Sequence, residues 1–142
     1  MIVKIVNKSD NALPQYETGG SAGLDVRSAE DGVLNPGEFK LVKTGLSVEI
    51  PYGYEIQVRP RSGMALKYGV TVLNSPGTID SDYRGEIGVI LMNHGKLPYA
   101  IIKGERIAQL VLCPVEKVQW LATDTLGTST KRGEKGFGST GK

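Results

Sequence analysis

The chain has 142 residues, with 17 lysines and arginines against 15 aspartates and glutamates, so its formal net charge is +2. This length predicts one domain, and so small a net charge gives no argument for a nucleic-acid or membrane surface. The 19 glycines and 7 prolines favour short elements joined by turns over long helices. We therefore expect a soluble domain with no nucleic-acid partner and no membrane partner.

The chain contains a single cysteine, Cys113, and a single histidine, His94. A lone cysteine forms no disulfide within the chain, which is typical of a reducing compartment. Zinc sites use three or four Cys, His or carboxylate ligands, so structural zinc and zinc-dependent deamination are both excluded. The apolar stretch at the N-terminus is too short for a secretion signal, and the sequence predicts a cytoplasmic protein.

Short apolar runs separated by turn residues recur along the chain. In the run 54–59, Tyr54, Ile56 and Val58 alternate with polar residues, and this period of two is typical of a half-buried strand. Many short strands at such spacing predict an all-β sandwich, jelly roll or barrel, and of these we expect a single-domain, jelly-roll-like β-barrel of short, largely antiparallel strands. The predicted strands are Ile2–Val6, Gly23–Arg27, Glu38–Val42, Leu46–Ile50, Tyr54–Arg59, Val70–Leu73, Ile87–Met92, Ala100–Ile102, Ile107–Cys113 and Val115–Leu121.

One segment, from Ser62 to about Tyr68, is predicted to be a short helix, with Ser62 as its N-cap and Gly69 as its stop. From Thr123 onward the composition shifts to glycine, serine and threonine with few apolar residues. Such a segment buries too little surface to order itself. We therefore expect a barrel domain over residues 1–122 and a flexible C-terminal tail over residues 123–142.

Two segments of the barrel are candidates for phosphate or base chemistry. The amides that follow Ser62 at the predicted helix start could bind an anion beside Arg61, although an ordinary N-cap beside a surface arginine has the same sequence. The run from Asn74 to Glu86 predicts a hairpin tip that carries Asp80, Asp82 and Tyr83. One of the two carboxylates fits a general base and the tyrosine ring fits packing on a ligand, or all three belong to a solvated turn.

Polar residues also interrupt two apolar strands, and the tail carries an unusual motif. Asp25 and Gln109 each stand within an apolar run, so each faces either a cavity or interface or plain solvent. The run Gly136–Gly141, with Phe137 in it, could fold its amides and hydroxyls around an anion, with Arg132 as a forked cation nearby. A flexible extension would have the same composition.

Five segments together resemble the ordered motifs of the trimeric dUTP diphosphatases (dUTPases). They are AGLDVRS, RPRSGMA, NSPGTIDSDYRGEIGV, GERIAQLV and RGEKGFGSTG, in this order, and they cover about a third of the chain. One departure is Lys135, which stands where the family's tail usually has another glycine. It removes none of the contacting groups.

The resemblance implies hydrolysis of dUTP to dUMP and pyrophosphate, which keeps uracil out of DNA and supplies dUMP for thymidylate synthesis. It implies that Asp80 orients and deprotonates the water that attacks the α-phosphorus, and that Asp25 holds waters of a Mg²⁺ ion bound mainly by the phosphates. It also implies a homotrimer whose active sites are shared between subunits. The residues implied to contact dUTP are Arg61, Ser62, Gly63 and Gln109 at phosphates, Asn74, Thr78, Ile79 and Gly88 at uracil, Tyr83 at deoxyribose, and Arg132, Phe137, Gly138, Ser139 and Thr140 from the tail.

Three other functions fit parts of the sequence. The dCTP deaminases resemble this family in fold and in the hairpin region, but they lack the GFGSTG ending with its preceding arginine. A sensor that binds dUTP without hydrolysing it would not need Asp80. A jelly-roll shell protein fits the strand pattern but gives no reason for the five motifs.

Overall fold

The alternation of apolar and polar residues produces eleven strands and one helix in the parts of the chain that the computed structural model describes, residues 1–127 and 130–136. The strands are short and separated by turns, as the glycine and proline content predicts. Their bounds are β1 Lys4–Asn7, β2 Leu24–Arg27, β3 Gly32–Leu34, β4 Phe39–Lys43, β5 Leu46–Glu49, β6 Tyr54–Arg59, β7 Val70–Val72, β8 Gly77–Ile79, β9 Gly88–Asn93, β10 Tyr99–Ile101 and β11 Arg106–Pro114, and the helix α1 is Ser62–Tyr68.

The strands pair antiparallel in four groups. A four-stranded sheet has the order β2-β11-β6-β8, a three-stranded sheet has the order β4-β9-β7, and β1 pairs with β5 and β3 with β10. The buried core draws on both larger sheets, and the predicted all-β, jelly-roll type of fold is confirmed. Fully buried side chains of the core include Val26, Val42, Val70, Val89, Leu91 and Ala108.

The chain changes sheets between β7 and β9. β7 pairs with β9 as the two arms of the predicted hairpin, with Val72 opposite Leu91. The hairpin tip is not simply a loop, however, because Gly77–Ile79 crosses to the other sheet and pairs as β8 with β6. The turn residues of the segment concealed this three-residue strand, which is too short to show a period.

The N-cap of α1 lies one residue earlier than the sequence predicts. Arg61 occupies the N-cap position without a side-chain cap, and Ser62 is the first helical residue, so the assignment of Ser62 as N-cap is wrong. The predicted stop is confirmed, since Gly69 adopts the left-handed conformation with φ of 69° and donates to the carbonyls of Met64 and Ala65. Within the described ranges, no helix has the length and apolarity needed to cross a membrane.

The predicted strand at Val115–Leu121 does not form. β11 ends at Pro114, and after the bond from the Val115 N–H to the Gly53 carbonyl at 2.9 Å the chain runs on without regular structure to residue 127. The reason is that this apolar run pairs with no strand of the described chain, and Trp120 is 90% exposed. The sequence analysis also missed β3, whose three residues pair with β10.

Candidate active site

A small cavity of about 180 Å³ opens where β8 leaves the sheet that contains β7. β8 is the edge strand of its sheet, so its outer side has no strand partner in the described chain. At the start of β9, Gly88 pairs with Lys43 of β4, while β7 no longer runs beside it. Backbone N–H and C=O groups therefore rim a cavity that can bind the polar edge of a planar ligand. The lining residues are Thr78, Ile79, Asp80, Tyr83, Glu86, Ile87 and Gly88.

Tyr83 forms one wall of this cavity and is held at both ends. Its backbone N–H donates to the Asp80 carbonyl at 3.1 Å, and its hydroxyl donates to the Glu86 carbonyl at 3.0 Å. A Cβ at Gly85 would collide with the Tyr83 hydroxyl, so glycine at this position allows the ring to lie against the backbone. The residue is nonetheless 47% exposed. A fixed ring with an open side is suited to packing against a ligand.

Asp80 lies at the mouth of the same cavity, directly after β8, and is exposed. The predicted uracil residue Asn74 is outside the lining. It is exposed beside Gly77, where its Nδ2 would lie 3.2 Å from an added Cβ. The structure therefore brings Thr78, Ile79, Asp80, Tyr83 and Gly88 together and places Asn74 next to them.

A second group of predicted residues forms an ion cluster around Asp25 on β2. The Asp25 Oδ1 accepts from Arg61 Nε at 3.0 Å, and its Oδ2 accepts from Arg106 Nη1 at 3.1 Å. The same Arg106 nitrogen lies 3.4 Å from Glu17 Oε1, and Arg61 Nη1 donates to the Arg106 carbonyl at 3.3 Å. The Asp25 side chain is only 18% exposed, so its ion pairs with the arginines offset the free-energy cost of removing the carboxylate from water.

Gln109 stands on β11 directly opposite Asp25. Its Nε2 donates to the Pro60 carbonyl at 2.9 Å, and its side chain packs against Gly23, where any Cβ would collide with it. Next to Pro60, Ser62 is exposed, and the space around Gly63 is open, since a Cβ there would meet no atom within 4 Å. The first turn of α1 and Gln109 are thus adjacent through the backbone of residue 60.

A cavity of about 490 Å³ beside this cluster is strongly basic. Four cationic side chains line it against a single carboxylate, which gives an attractive potential for phosphate oxygens. On its wall, the pKa of Tyr99 is raised, first by burial and then by Glu105 and Tyr68, while Arg61 opposes the rise. The charged lining residues are Arg27, Arg61, Lys67, Arg106 and Glu105.

By strand register, Asp25 and Gln109 lie on the same face of the four-stranded sheet as Thr78, but at the opposite corner. Asp25 aligns with Gln109 and, on β6, with Arg59, whereas Thr78 aligns with Gln57. Asp25 on β2 and Asp80 after β8 are separated by three strand spacings across the sheet and by a few residues along the strands. This separation corresponds to roughly 15–20 Å between the two residues. A water-bridged contact spans only about 6 Å. Within one chain the two carboxylates are therefore too far apart to be bridged by a single water molecule.

Of the predicted tail residues, only Arg132 is described. It is exposed, and its Nε donates to the Lys135 carbonyl at 2.9 Å, which is a contact within its own turn. Phe137, Gly138, Ser139 and Thr140 lie outside the described residues.

The donor set fits a metal ion held mainly by a ligand. Among residues 1–127 and 130–136 there is no group of three or more His, Cys, Asp or Glu side chains that could enclose a cation. Asp25 offers one carboxylate beside the basic cavity, and both oxygens of this carboxylate accept hydrogen bonds from arginines. That suits contact with metal-bound water, which magnesium retains, better than direct ligation.

The sequence analysis missed Arg106 and Glu17. Arg106 lies within the quoted segment GERIAQLV, and an arginine at the start of the strand that also carries Gln109 was the available signal. Glu17 carried no signal, because it belongs to an irregular loop whose approach to β11 depends on tertiary packing.

Comparisons with known proteins identify the family and the fold. Residues 9–141 match the family model described as dUTPase. A deoxyuridine 5'-triphosphate nucleotidohydrolase of Nautilia profundicola is 54% identical over 143 residues and covers 100% of both chains. The dUTPase of Staphylococcus bacteriophage 80alpha, solved with dUpNHpp, superposes with a TM-score of 0.91 at 30% identity over 99% of this chain and 98% of that one. A mutant dUTPase from phage phi11 of S. aureus, whose structure reveals the coordination of a structural Mg(II) ion, has a TM-score of 0.80 at 26% identity over 88% of this chain and 98% of that one.

The open space at Gly63 yields a prediction that separates stability from binding. Gly63→Ala adds a methyl group that meets no atom, and alanine is favoured over glycine inside a helix by about 1 kcal/mol. We expect equal or slightly higher thermal stability but several-fold weaker binding of inorganic triphosphate, because the methyl group occupies the space of the anion. Differential scanning calorimetry and a calorimetric triphosphate titration measure the two effects. Unchanged triphosphate affinity would contradict an anion site at Gly63.

Proposed function

The chain belongs to the dUTPase family, and on that premise we propose how its residues hydrolyse dUTP to dUMP and pyrophosphate. The proposal depends above all on one observation: Asp80 lies at the mouth of a cavity rimmed by free backbone groups, beside the fixed ring of Tyr83. Uracil occupies that cavity and the deoxyribose lies against the ring. The α-phosphate then sits at the cavity mouth, within reach of Asp80.

Asp80 acts as the general base. An aspartate is ionised at neutral pH, so it can orient and deprotonate a water molecule without any special environment. The water attacks the α-phosphorus in line, the bond to the bridging oxygen breaks, and pyrophosphate leaves. Positioning and charge stabilisation account for most of such a reaction, since the protein forms no covalent bond to the phosphate.

Base selection follows from the backbone rim. Thr78 and Ile79 on β8 and Gly88 on β9 present N–H and C=O groups to the uracil edge, and the nearby Asn74 amide completes the set. A site built to pair a polar edge rejects a mispaired base such as cytosine by about 10⁴–10⁵. Thymine is excluded sterically, because a cavity of about 180 Å³ leaves little room for a further methyl group.

The phosphates bind at the basic cavity. Arg61, Ser62, Gly63 and Gln109 contact the phosphate oxygens, supported by the open space at Gly63 and by the excess of cations around it. Asp25 would hold the water of a magnesium ion bound at the edge of this region. Such an ion would supply charge neutralisation to the phosphates and to the leaving group.

The distance between Asp80 and Asp25 supports a homotrimer with shared sites. A rotational assembly can bring the Asp80 corner of one outer sheet face against the Asp25 corner of the next copy, and so build each site from two chains. The tail, residues 123–142, then closes the site as a lid: Phe137 stacks on uracil, Arg132 reaches the γ-phosphate, and Gly138, Ser139 and Thr140 surround the phosphates. A cytoplasmic location, with dUTP as the partner, completes the proposal.

Removing the Asp80 carboxylate tests the catalytic assignment. Asp80→Asn should lower kcat for pyrophosphate release from dUTP by at least about 100-fold, the range of general-base catalysis, while calorimetric binding of dUpNHpp changes little. Asp82→Asn removes an exposed carboxylate two residues away and should keep most of the activity. Parallel assays with dCTP, dTTP and UTP identify the substrate, and ammonia from dCTP would indicate a deaminase. A kcat within tenfold of the parent value in Asp80→Asn would refute the assignment.

Tyr83→Ala tests the sugar selection. Loss of the ring opens space beside the deoxyribose, so the ratio of kcat/KM for dUTP over UTP should fall by about tenfold or more. Tyr83→Phe keeps the ring and removes only the hydroxyl bond to Glu86, so it should retain most of the ratio. Equal discrimination in the parent protein and in Tyr83→Ala would eliminate this role.

Subunit mixing tests the shared site. Asp80→Asn and Asp25→Asn should each be inactive alone, because each lacks one carboxylate in every site. In trimers refolded from an equal mixture, about one quarter of sites should combine two intact residues if those residues come from different chains. Steady-state pyrophosphate release measures this recovery. If the mixed trimers are as inactive as the two single variants, each chain supplies both carboxylates to its own site.

A further inference from the structure

The ion cluster around Asp25 points to a role for an arginine that the proposed mechanism does not use. We propose that Arg106 is a positioning residue: it holds Asp25 in place when Arg61 moves from Asp25 to the substrate phosphates. This inference rests on the proposed function, because it takes Arg61 as a phosphate ligand. It assigns to Arg61 two alternative partners, a carboxylate in the free protein and a phosphate in the complex.

The geometry allows this exchange. Each oxygen of Asp25 has its own guanidinium, with Arg61 Nε 3.0 Å from Oδ1 and Arg106 Nη1 3.1 Å from Oδ2. Arg61 can therefore leave without disturbing the bond to Arg106. Once Arg61 has left, Oδ1 is free to accept from metal-bound water, and the orientation of the carboxylate depends on Arg106.

The two arginines are held differently. Besides Asp25, the hydrogen-bond partner of Arg61 within the described residues is a neutral group, the Arg106 carbonyl, at 3.3 Å. The Arg106 Nη1 lies between two carboxylates, since Glu17 Oε1 is 3.4 Å away. The ion pair with Glu17 gives Arg106 a second charged partner that Arg61 lacks, so phosphate attracts Arg61 away more easily than Arg106. Glu17 thus fixes Arg106, and Arg106 fixes Asp25.

The charge balance points in the same direction. In the free protein the cluster contains two guanidinium groups and two carboxylates, Asp25 and Glu17, and is neutral. After Arg61 transfers to phosphate, one cation and two anions remain, so the cluster carries a net negative charge that favours a hydrated cation. Without Arg106, the same transfer would leave a largely buried carboxylate with no cation, which opposes the transfer.

The test is calorimetric binding rather than turnover. We expect Arg106→Gln to raise the Kd of dUpNHpp measured with Mg²⁺ by about tenfold, a typical effect of losing a charge-assisted bond. The gain in affinity that Mg²⁺ gives should also shrink. The Kd of dUMP, which lacks the β- and γ-phosphates, should change by less than about twofold. Arg106→Lys, which keeps one cationic donor between the carboxylates, should recover part of the loss.

Lys103→Gln is the matched control, because Lys103 lies close to Arg106 in sequence and forms an exposed ion pair with Asp10. This variant should bind both ligands like the parent protein. Equal dUpNHpp affinity in Arg106→Gln and the parent, or equal loss of dUpNHpp and dUMP, would overturn the positioning role. If Arg106→Gln fails to unfold cooperatively, Glu17→Gln takes its place, with an expected rise of about threefold for dUpNHpp alone. Failure of the parent protein to bind dUpNHpp would refute the proposed function instead.

Discussion

Between Val72 and Gly77 the chain leaves one sheet and joins the other, and the candidate site depends on that transfer. Had β7 continued along β9, the backbone of Gly88 would be paired on both sides and no cavity would exist. Because the chain crosses instead, β8 becomes a sheet edge and β9 loses a neighbour at the same place. Unpaired edges usually invite association, and here they form a short rim around a cavity of about 180 Å³.

The outer face of the four-stranded sheet connects this cavity to the rest of the site. Polar side chains cross it: Gln57 donates to Glu55 and Arg59 donates to Gln57, all half-buried rather than fully solvated. Asp25 and Gln109 stand at one corner and Asp80 near the other. A face whose functional groups lie at opposite corners is suited to rotational symmetry, in which unlike corners of neighbouring copies meet.

Much of this could be predicted from local sequence, and the exceptions have physical reasons. The strand at 54–59 was predictable because its alternation of apolar and polar residues indicates burial on one face. The end of the helix at Gly69 was predictable because glycine readily adopts the left-handed conformation that a helix end commonly requires. The resemblance named residues that the structure groups around the cavity and around the ion cluster. It did not place Asp80 and Asp25 far apart within one chain, since strand register between β6 and β8 depends on pairing over long range. The prediction of a strand at Val115–Leu121 is wrong for a related reason, because these residues have strand propensity but no partner strand in the described chain.

The central position of β11 has a consequence for synthesis on the ribosome. β11 lies between β2 and β6, so Leu110 pairs with Leu24 on one side and with Val58 on the other. Until residues up to Pro114 have emerged, β2 has no neighbour in this sheet, and β6 and β8 form only a two-stranded ribbon, which is marginally stable in water. Such late, long-range closure slows folding. The four-stranded sheet therefore forms only late in translation, after its last strand is released, although every strand of the other sheets has been synthesised by Ile101.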